Sequence, residues 1–504
     1  MTRSFWFVVV GLVAGLALSA WAWAAPSRGE RIYNAIVELD LEAARKLLSD
    51  GPSSASLALE RARLALYAGD CDGAKAVLSA PSVKNTEEGR DLLDLSTRCA
   101  QATAGALVVE DHDAGVWVRL QDARDRPLVA YIVKVAVRAR QAMLEDLGVE
   151  LPRPLRVDLV RDLFSLSALT GLRLTAAETT GTLAVARYGR VTMITPRATQ
   201  HGYGWEDTLA HEITHLALAK ATRDHAPLWL QEGIAKREEV RWRAERPLDG
   251  TPSADQIAYQ AMMTGRSVGL DKLGPSIAML PTPEAASVAY AEVQSFVNYW
   301  IELNGTAALR LLLADLRGMR TRSADHALLS VSGYTLEQWN LKWRDHLAKT
   351  KPAANPGPDK GPAVDPRALA RWVRLTDMLQ GRGHPDAAHS AMEPGRDQAG
   401  DLTAVRWRSA RASARAGQLD RMGKELGKVS DLDVLHGAWF ALHGRALQRE
   451  GKHAEARRSF GLGIAADPLF DEVACEGHAK EDDFEPESAE GRALCKAARA
   501  VVRN

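Results

Sequence analysis

The chain has 504 residues, of which 46% are hydrophobic and 25% are charged, so its composition is that of a globular protein with roughly two to four domains. Its 64 basic residues balance 64 acidic ones, which gives a formal net charge of zero. Balanced charge without a dense basic block excludes an electrostatic case for nucleic-acid binding. Any function must therefore be read from local motifs.

The first 24 residues have the pattern of a signal peptide. Arg3 provides a short positive start, an apolar run covers residues 5–18, and an A-x-A cleavage site ends at Ala24. We therefore expect an exported protein, either periplasmic or secreted. Because the apolar stretch approaches the length that spans a bilayer, an uncleaved N-terminal membrane anchor is the alternative.

The four cysteines form two pairs that are close in sequence, Cys71 with Cys99 and Cys475 with Cys495. In an oxidising compartment each pair could join neighbouring helices through a disulfide. The absence of a C-x-x-C motif argues against a cysteine metal site. The cysteines therefore agree with export.

Glycines recur every 34 residues near the C-terminus, at Gly383, Gly417 and Gly451, each at the end of a helical pattern. Small and aromatic residues follow at fixed offsets, and the last unit ends at Pro468. This pattern resembles the tetratricopeptide repeat, a helical hairpin whose copies stack into a binding surface. We expect residues 367–504 to form such a domain and to offer a surface for a protein partner.

The N-terminal segment 25–104 shows a similar pattern. Ala62, Gly69, Ala74 and Leu78 reproduce the offsets of the last C-terminal unit. We therefore predict a second tetratricopeptide-like domain of helical hairpins. These hairpins could bind a partner or buttress the middle of the chain, and the pattern leaves both interpretations open.

The middle segment 105–350 has a mixed pattern and is followed by a Pro-rich linker at 351–366. Strands are predicted near 107–109, 116–120, 155–160, 181–186 and 190–195, and a helix at 129–147. From about residue 200 the pattern is helical. Strands followed by helices indicate an α+β domain, flanked here by all-α hairpins.

An H-E-x-x-H motif occupies positions 211–215. On a helix, His211 and His215 lie one turn apart on the same face, so both imidazoles can bind one zinc ion. Glu212 then projects beside the metal as a candidate general base. Catalytic zinc also needs a third protein ligand and an open position for water. Glu232, on a second predicted helix that follows Pro227, is the candidate for that ligand.

The two-part motif, H-E-x-x-H with W-L-x-E-G-x-A at 229–235, resembles the gluzincin metallopeptidases, the group that includes thermolysin-like and aminopeptidase N-like enzymes. The flanking strands and closing helices resemble small bacterial secreted members of this group. The resemblance covers about 105–350. It implies one zinc ion held by His211, His215 and Glu232, with Glu212 as the base.

One position departs from the thermolysin-like pattern. Those enzymes place an Asp four residues past the third ligand to orient a metal-binding His, and Lys236 stands there in this chain. Because ligating histidines normally donate their other N–H, another residue must accept it. The candidates are Asp207, Glu238 and Glu239.

The mechanism implied by the resemblance is hydrolysis of a peptide bond, in which Glu212 accepts a proton from water and passes it to the leaving amine. A further donor usually stabilises the oxyanion. Tyr290 is the candidate, with a packing role as its alternative, and Tyr203, His201 and His225 follow it.

We therefore predict an exported zinc metallopeptidase that acts on peptides or proteins. An endopeptidase is favoured because no motif that anchors a substrate N-terminus is recognisable. A non-catalytic envelope scaffold with a vestigial zinc domain is one alternative, and metal-assisted hydrolysis of a non-peptide amide is another.

Overall fold

The computed structural model describes residues 26–50, 55–198, 203–245, 249, 252–318, 323–352, 365–398, 403–427 and 436–466. The predicted signal peptide, most of the linker, and Cys475 with Cys495 lie outside these residues. The described chain is mostly helical with one mixed sheet of five strands, which agrees with an α+β domain. Within these ranges, no helix is both long enough and apolar enough to cross a membrane.

From residue 26 onward, the described part of the chain has six helices before the sheet: α1 (Arg28–Val37), α2 (Leu41–Ser49), α3 (Ala55–Tyr67), α4 (Cys71–Leu78), α5 (Pro81–Lys84) and α6 (Glu87–Thr103). Four of them begin at a polar residue whose side chain accepts the N–H three residues later, at Ser27, Asp40, Asp70 and Thr86. A disulfide joins Cys71 to Cys99, with Cα atoms 5.7 Å apart. It therefore ties α4 to α6.

The sheet contains β1 (Leu107–Asp111), β2 (Val116–Leu120), β3 (Leu155–Val160), β4 (Ala184–Arg187) and β5 (Arg190–Ile194), in the order β1-β2-β3-β5-β4. The strands predicted from sequence are present. The pairs β2–β3 and β3–β5 are parallel, whereas β1 and β4 are antiparallel edges. Tyr188 and Gly189, both with positive φ, form the two-residue turn between β4 and β5.

One face of the sheet is apolar and the other carries buried charge. The apolar face, with Val118, Val157 and Val191, packs against the helices α7 (Val129–Leu147) and α10 (Trp205–Thr222). On the other face, Asp158 accepts two hydrogen bonds from Arg119, at 2.7 and 3.1 Å. The Nε atom of Arg190 lies 2.8 Å from the same carboxylate.

The two arginines of this charged face also bind the N-terminal helices. Arg119 donates to the carbonyl of Gly69 at 2.7 Å, and Arg190 donates to the carbonyl of Leu66. Leu66 lies in the last turn of α3 and Gly69 follows the end of the helix, where carbonyls lack their regular intrahelical partners and can accept further donors. The N-terminal helices therefore form a layer that covers the charged face of the sheet.

The helices between the strands and after them complete the middle of the chain: α8 (Leu163–Thr170), α9 (Leu174–Thr180), α10, α11 (Leu228–Glu238), α12 (Ala254–Met263), α13 (Pro283–Arg317), α14 (Ala324–Ser332) and α15 (Leu336–Thr350). Helix α13 is broken at Gly305, where φ is 79°. Helix α10 packs against α7, α11, α13 and β4. It is therefore the central helix of the domain.

In the described residues that follow the linker there are three helix pairs: α16 (Pro366–Gly381) with α17 (Pro385–Gln398), α18 (Thr403–Arg415) with α19 (Leu419–Leu426), and α20 (His436–Arg449) with α21 (His453–Ala466). Each helix packs against the next. Gly383, Gly417 and Gly451 have φ of 78°, 74° and 76° at the turn inside each pair. The 34-residue spacing thus reflects a recurring left-handed turn, which glycine adopts without steric cost. The tetratricopeptide assignment itself stays a prediction.

Candidate metal centre and cleft

Helix α10 carries the H-E-x-x-H motif across the floor of a cleft. Glu206 and Asp207 place negative charge in its first turn, where the helix dipole favours it. One turn apart, His211 and His215 point to the same side, and their Nε2 atoms lie 3.2 Å apart. The helix therefore presents two imidazole nitrogens to one point.

Helix α11 brings Glu232 to this point. Its Oε2 atom lies 3.5 Å from Nε2 of His211 and 3.6 Å from Nε2 of His215. The three ligand atoms lie within 4.8 Å of one another. The structure thus brings together all three of the predicted metal ligands.

The chemistry of this group fits a zinc ion. The Oε2 atom of Glu232 is buried and has no hydrogen-bond partner among the described residues, which is costly for a carboxylate oxygen unless a cation is bound. Burial opposes its charge, but the imidazoles of His215 and His211 hold the pKa of Glu232 well below its usual range. Two imidazoles and one carboxylate, with a fourth side open to the cleft, form the ligand set of catalytic zinc.

Glu239 lies beside the Nδ1 atom of His211. It takes the place of the Asp that thermolysin-like enzymes have at the position of Lys236. The Nδ1 atom of His211 is 3.2 Å from Oε2 of Glu239, and Lys236 donates to the other oxygen at 2.5 Å. Burial opposes the protonation of His211, but Glu232 and Glu239 raise its pKa to about 10, so this spot favours positive charge. Glu239 therefore orients the histidine, and Lys236 holds Glu239.

The other two candidates for this role lie elsewhere. Asp207 accepts hydrogen bonds from Arg243 at 2.7 Å and from the indole N–H of Trp242 at 3.0 Å. Glu238 is fully buried and contacts Arg237. The sequence left three candidates because spacing alone does not say which carboxylate faces the ring.

Glu212 lines the cleft beside the ligands. One of its carboxylate oxygens accepts the backbone N–H of Ala186 at 2.6 Å. Ala186 belongs to β4, an edge strand of the sheet, so the candidate base lies between the ligands and this strand. A substrate bound in the cleft would therefore contact both Glu212 and the edge strand β4.

Tyr290 lines the same cleft, and its ring lies 6.0 Å from Nζ of Lys236. Burial, together with the charges of Glu232 and Glu212, raises the pKa of its phenol well above its usual range, so it remains a proton donor. Tyr203 is buried and donates to the carbonyl of Ile194. His225 contacts the carbonyl of Leu316 at 3.2 Å, away from the cleft lining, and His201 lies outside the described residues.

The cleft has a volume of about 400 Å³, and the N-terminal helices form part of its wall. Val37, Leu39 and Tyr67 line it, as does Asp224 just beyond the end of α10. Sequence reasoning missed these residues. Nothing in their local sequence distinguishes them, because they reach the cleft only through the packing of the N-terminal helices on the sheet.

Residues 136–349 match the family model described as Peptidase MA superfamily. No curated protein matches the chain, and no solved structure does. The matched region holds both halves of the zinc motif and supports a gluzincin-type, peptidase-like domain in the middle of the chain. This superfamily is generally zinc-dependent, which agrees with the ligand set.

Proposed function

We propose that the protein is an exported zinc metallopeptidase that hydrolyses peptide bonds with Glu212 as general base. The observation that carries the proposal is the meeting of His211, His215 and Glu232 around one point, with a buried carboxylate oxygen that lacks a partner. Glu212 lies in the same cleft. A ligand set with its base intact is expected of an enzyme rather than of a vestigial scaffold.

A zinc ion held by these three residues would act as a Lewis acid toward water and a substrate carbonyl. Glu212 would accept the proton of the attacking water and donate it to the leaving amine. Its hydrogen bond from Ala186 holds the carboxylate toward the edge strand. Tyr290 supplies a neutral O–H that could stabilise the oxyanion.

The domain arrangement and compartment are part of the same proposal. Residues 1–24 are the proposed export segment, with membrane attachment only if it is not cleaved. The Cys71–Cys99 disulfide agrees with an oxidising compartment. The C-terminal helix pairs are proposed to be tetratricopeptide-like and to position a substrate or partner.

The test is Glu212→Gln in the full chain. We expect the variant to bind one zinc ion per chain, measured by elemental analysis, and to hydrolyse a peptide library at least about a hundredfold more slowly than the wild type. Asp345→Asn, an exposed surface change, is the matched control. Equal hydrolysis by the wild type and Glu212→Gln would contradict the proposal, and no hydrolysis by either would favour the scaffold alternative.

A further inference from the structure

The turn between α1 and α2 contacts both sides of the cleft, the β4–β5 turn on one side and the C-terminal ends of α10 and α13 on the other. On the edge-strand side, a Cβ atom placed on Gly189 would lie 2.6 Å from Tyr67 and 3.0 Å from Leu39, so the β4–β5 turn packs tightly against these side chains. On the other side, Glu38 accepts hydrogen bonds from Arg223, at the end of α10, and from Arg317, at 2.6 Å. The N-terminal layer therefore closes this end of the cleft.

Strained backbone is concentrated at the same end. Five residues other than glycine have positive φ in the described part of the chain, and four of them lie here: Leu39, Tyr188, Arg223 and Asp224. For Leu39 this conformation has a steric cost that glycine would not have. Such conformations cluster at functional sites, where the surroundings hold the residue in place. Three of these four residues, Leu39, Tyr188 and Asp224, line the cleft.

The edge strand β4 determines the orientation in which an extended peptide can bind in the cleft. In the antiparallel register of β4 with β5, Ala184 and Ala186 occupy the positions whose N–H and C=O point away from β5. The bond from Ala186 to Glu212 agrees with this alternation. An extended peptide added to this edge in the more stable antiparallel sense has its amino end toward Tyr188, which is the closed end.

The distance to the closed end limits the peptide. Ala186 faces the candidate base, and Tyr188 lies two residues further along the chain, or about 7 Å at about 3.3 Å per strand residue. Beyond Tyr188 the path meets Leu39 and Tyr67. About two substrate residues therefore fit on the amino side of the scissile bond.

Asp224 provides an acidic group at this end. It lines the cleft together with Tyr67, and burial raises the pKa of its carboxyl, an effect that a cation bound beside it would oppose. At the amino end of a peptide, a carboxylate can form a charge-assisted hydrogen bond with the free α-amino group, and such a bond is about twice as strong as a neutral one. The closed end therefore combines a wall that stops the peptide with an acidic group that can bind its amino terminus.

We propose that this end of the cleft is a terminal subsite, which admits about two residues and binds the free α-amino group of the substrate at Asp224. The inference rests on the proposed peptidase function and gives it a substrate class, peptides or protein chains with an accessible amino terminus. It departs from the endopeptidase expectation, which rested on the absence of a recognisable anchor motif.

The first experiment compares a randomised peptide library with free amino termini with the same library after N-acetylation. With the zinc-loaded full chain, mass spectrometry should show cleavage about two residues from the free terminus. Acetylation should lower kcat/KM about tenfold, which corresponds to about 1.4 kcal/mol. Internal cleavage that ignores the terminus, or equal rates for both libraries, would overturn the terminal subsite and leave the peptidase proposal intact.

Two variants locate the subsite. Asp224→Asn should lower kcat/KM for free-amino peptides about tenfold and so remove the preference over the acetylated library, whereas Asp345→Asn should preserve the preference. Leu39→Gly, which the positive φ tolerates, should move cleavage further from the terminus. A preference that Asp224→Asn does not alter would overturn the role of Asp224.

A binding measurement separates this inference from catalysis. Zinc-loaded Glu212→Gln should bind the free-amino library more tightly than the acetylated one in calorimetry. If the wild type hydrolyses nothing while this preference is observed, the peptidase proposal is wrong and the terminal subsite stands. If Glu212→Gln shows no preference, the terminal subsite is overturned.

Discussion

The helices before the sheet and the helix pairs after residue 365 are built alike but packed differently. The N-terminal set gives the carbonyls of Gly69 and Leu66 to Arg119 and Arg190, contributes Leu39 to the main core, and closes one end of the cleft. The C-terminal set buries its own clusters, one of them around Trp407 and Met422. A hydrogen bond of 2.9 Å runs from Arg458 of this set to the backbone carbonyl of Glu245 in the middle of the chain.

This difference shows that a helical-hairpin pattern does not specify a role. The N-terminal hairpins are part of the candidate active site because the sheet face beneath them is charged and must be covered. The C-terminal helices bury their own clusters against one another, so we expect a change inside them to have little effect on the cleft.

The largest expected effect comes from Asp158→Ala. It leaves Arg119 and Arg190 buried without their carboxylate, and removal of one partner from a buried ion pair costs about 3–5 kcal/mol. We expect the sheet and the N-terminal layer to lose stability together, and thermal unfolding measured with peptide hydrolysis will test this. A variant with native stability would show that the charged face is not what holds the layer.

Met422→Ala tests the other side of the comparison. Met422 is fully buried in the C-terminal cluster, and such truncations cost about 2–5 kcal/mol. We expect calorimetry to show only the transition of the C-terminal helices at lower temperature, with unchanged peptide hydrolysis. A parallel loss of hydrolysis would mean that the two sets are coupled.

The disulfide of the N-terminal layer should have a somewhat smaller effect. Replacing Cys71 and Cys99 by Ala releases a constraint that typically contributes about 2–4 kcal/mol. Chemical denaturation should show a lower midpoint for the sheet and N-terminal layer, whereas that of the C-terminal helices stays unchanged. If both midpoints fell equally, the C-terminal helices would not unfold independently of the sheet and its N-terminal layer.

Glu238 should make the stability of the middle of the chain depend on pH. Burial and the nearby Asp146 raise the pKa of Glu238 to about 8 from its ordinary 4.5. Between these values the folded protein holds a proton that the unfolded chain has lost, so stability falls as pH rises. From about pH 6 to about pH 7 the wild type should lose up to about 1.4 kcal/mol that Glu238→Gln does not lose, measured by denaturation. A similar pH slope in both proteins would contradict the neutral carboxyl.

Much of the fold could be predicted from the sequence, because its signals are local. Alternating apolar residues mark the strands, the Tyr188–Gly189 turn marks the β4–β5 hairpin, and glycines at 34-residue intervals mark the helix pairs. The candidate ligands could also be named, since His211 and His215 share a helix face and Glu232 follows on the next helix. In each case the relevant residues are close in sequence.

Only the tertiary structure decided how these parts meet. It selected Glu239 over Asp207 and Glu238 as the partner of His211, because the distance along the sequence does not determine which carboxylate faces the ring. It also placed Leu39 and Asp224, 185 residues apart, at one end of the cleft. Short-range periodicity fixes which face of a helix is apolar, but contacts across such separations depend on the whole packing arrangement, and no local pattern encodes them.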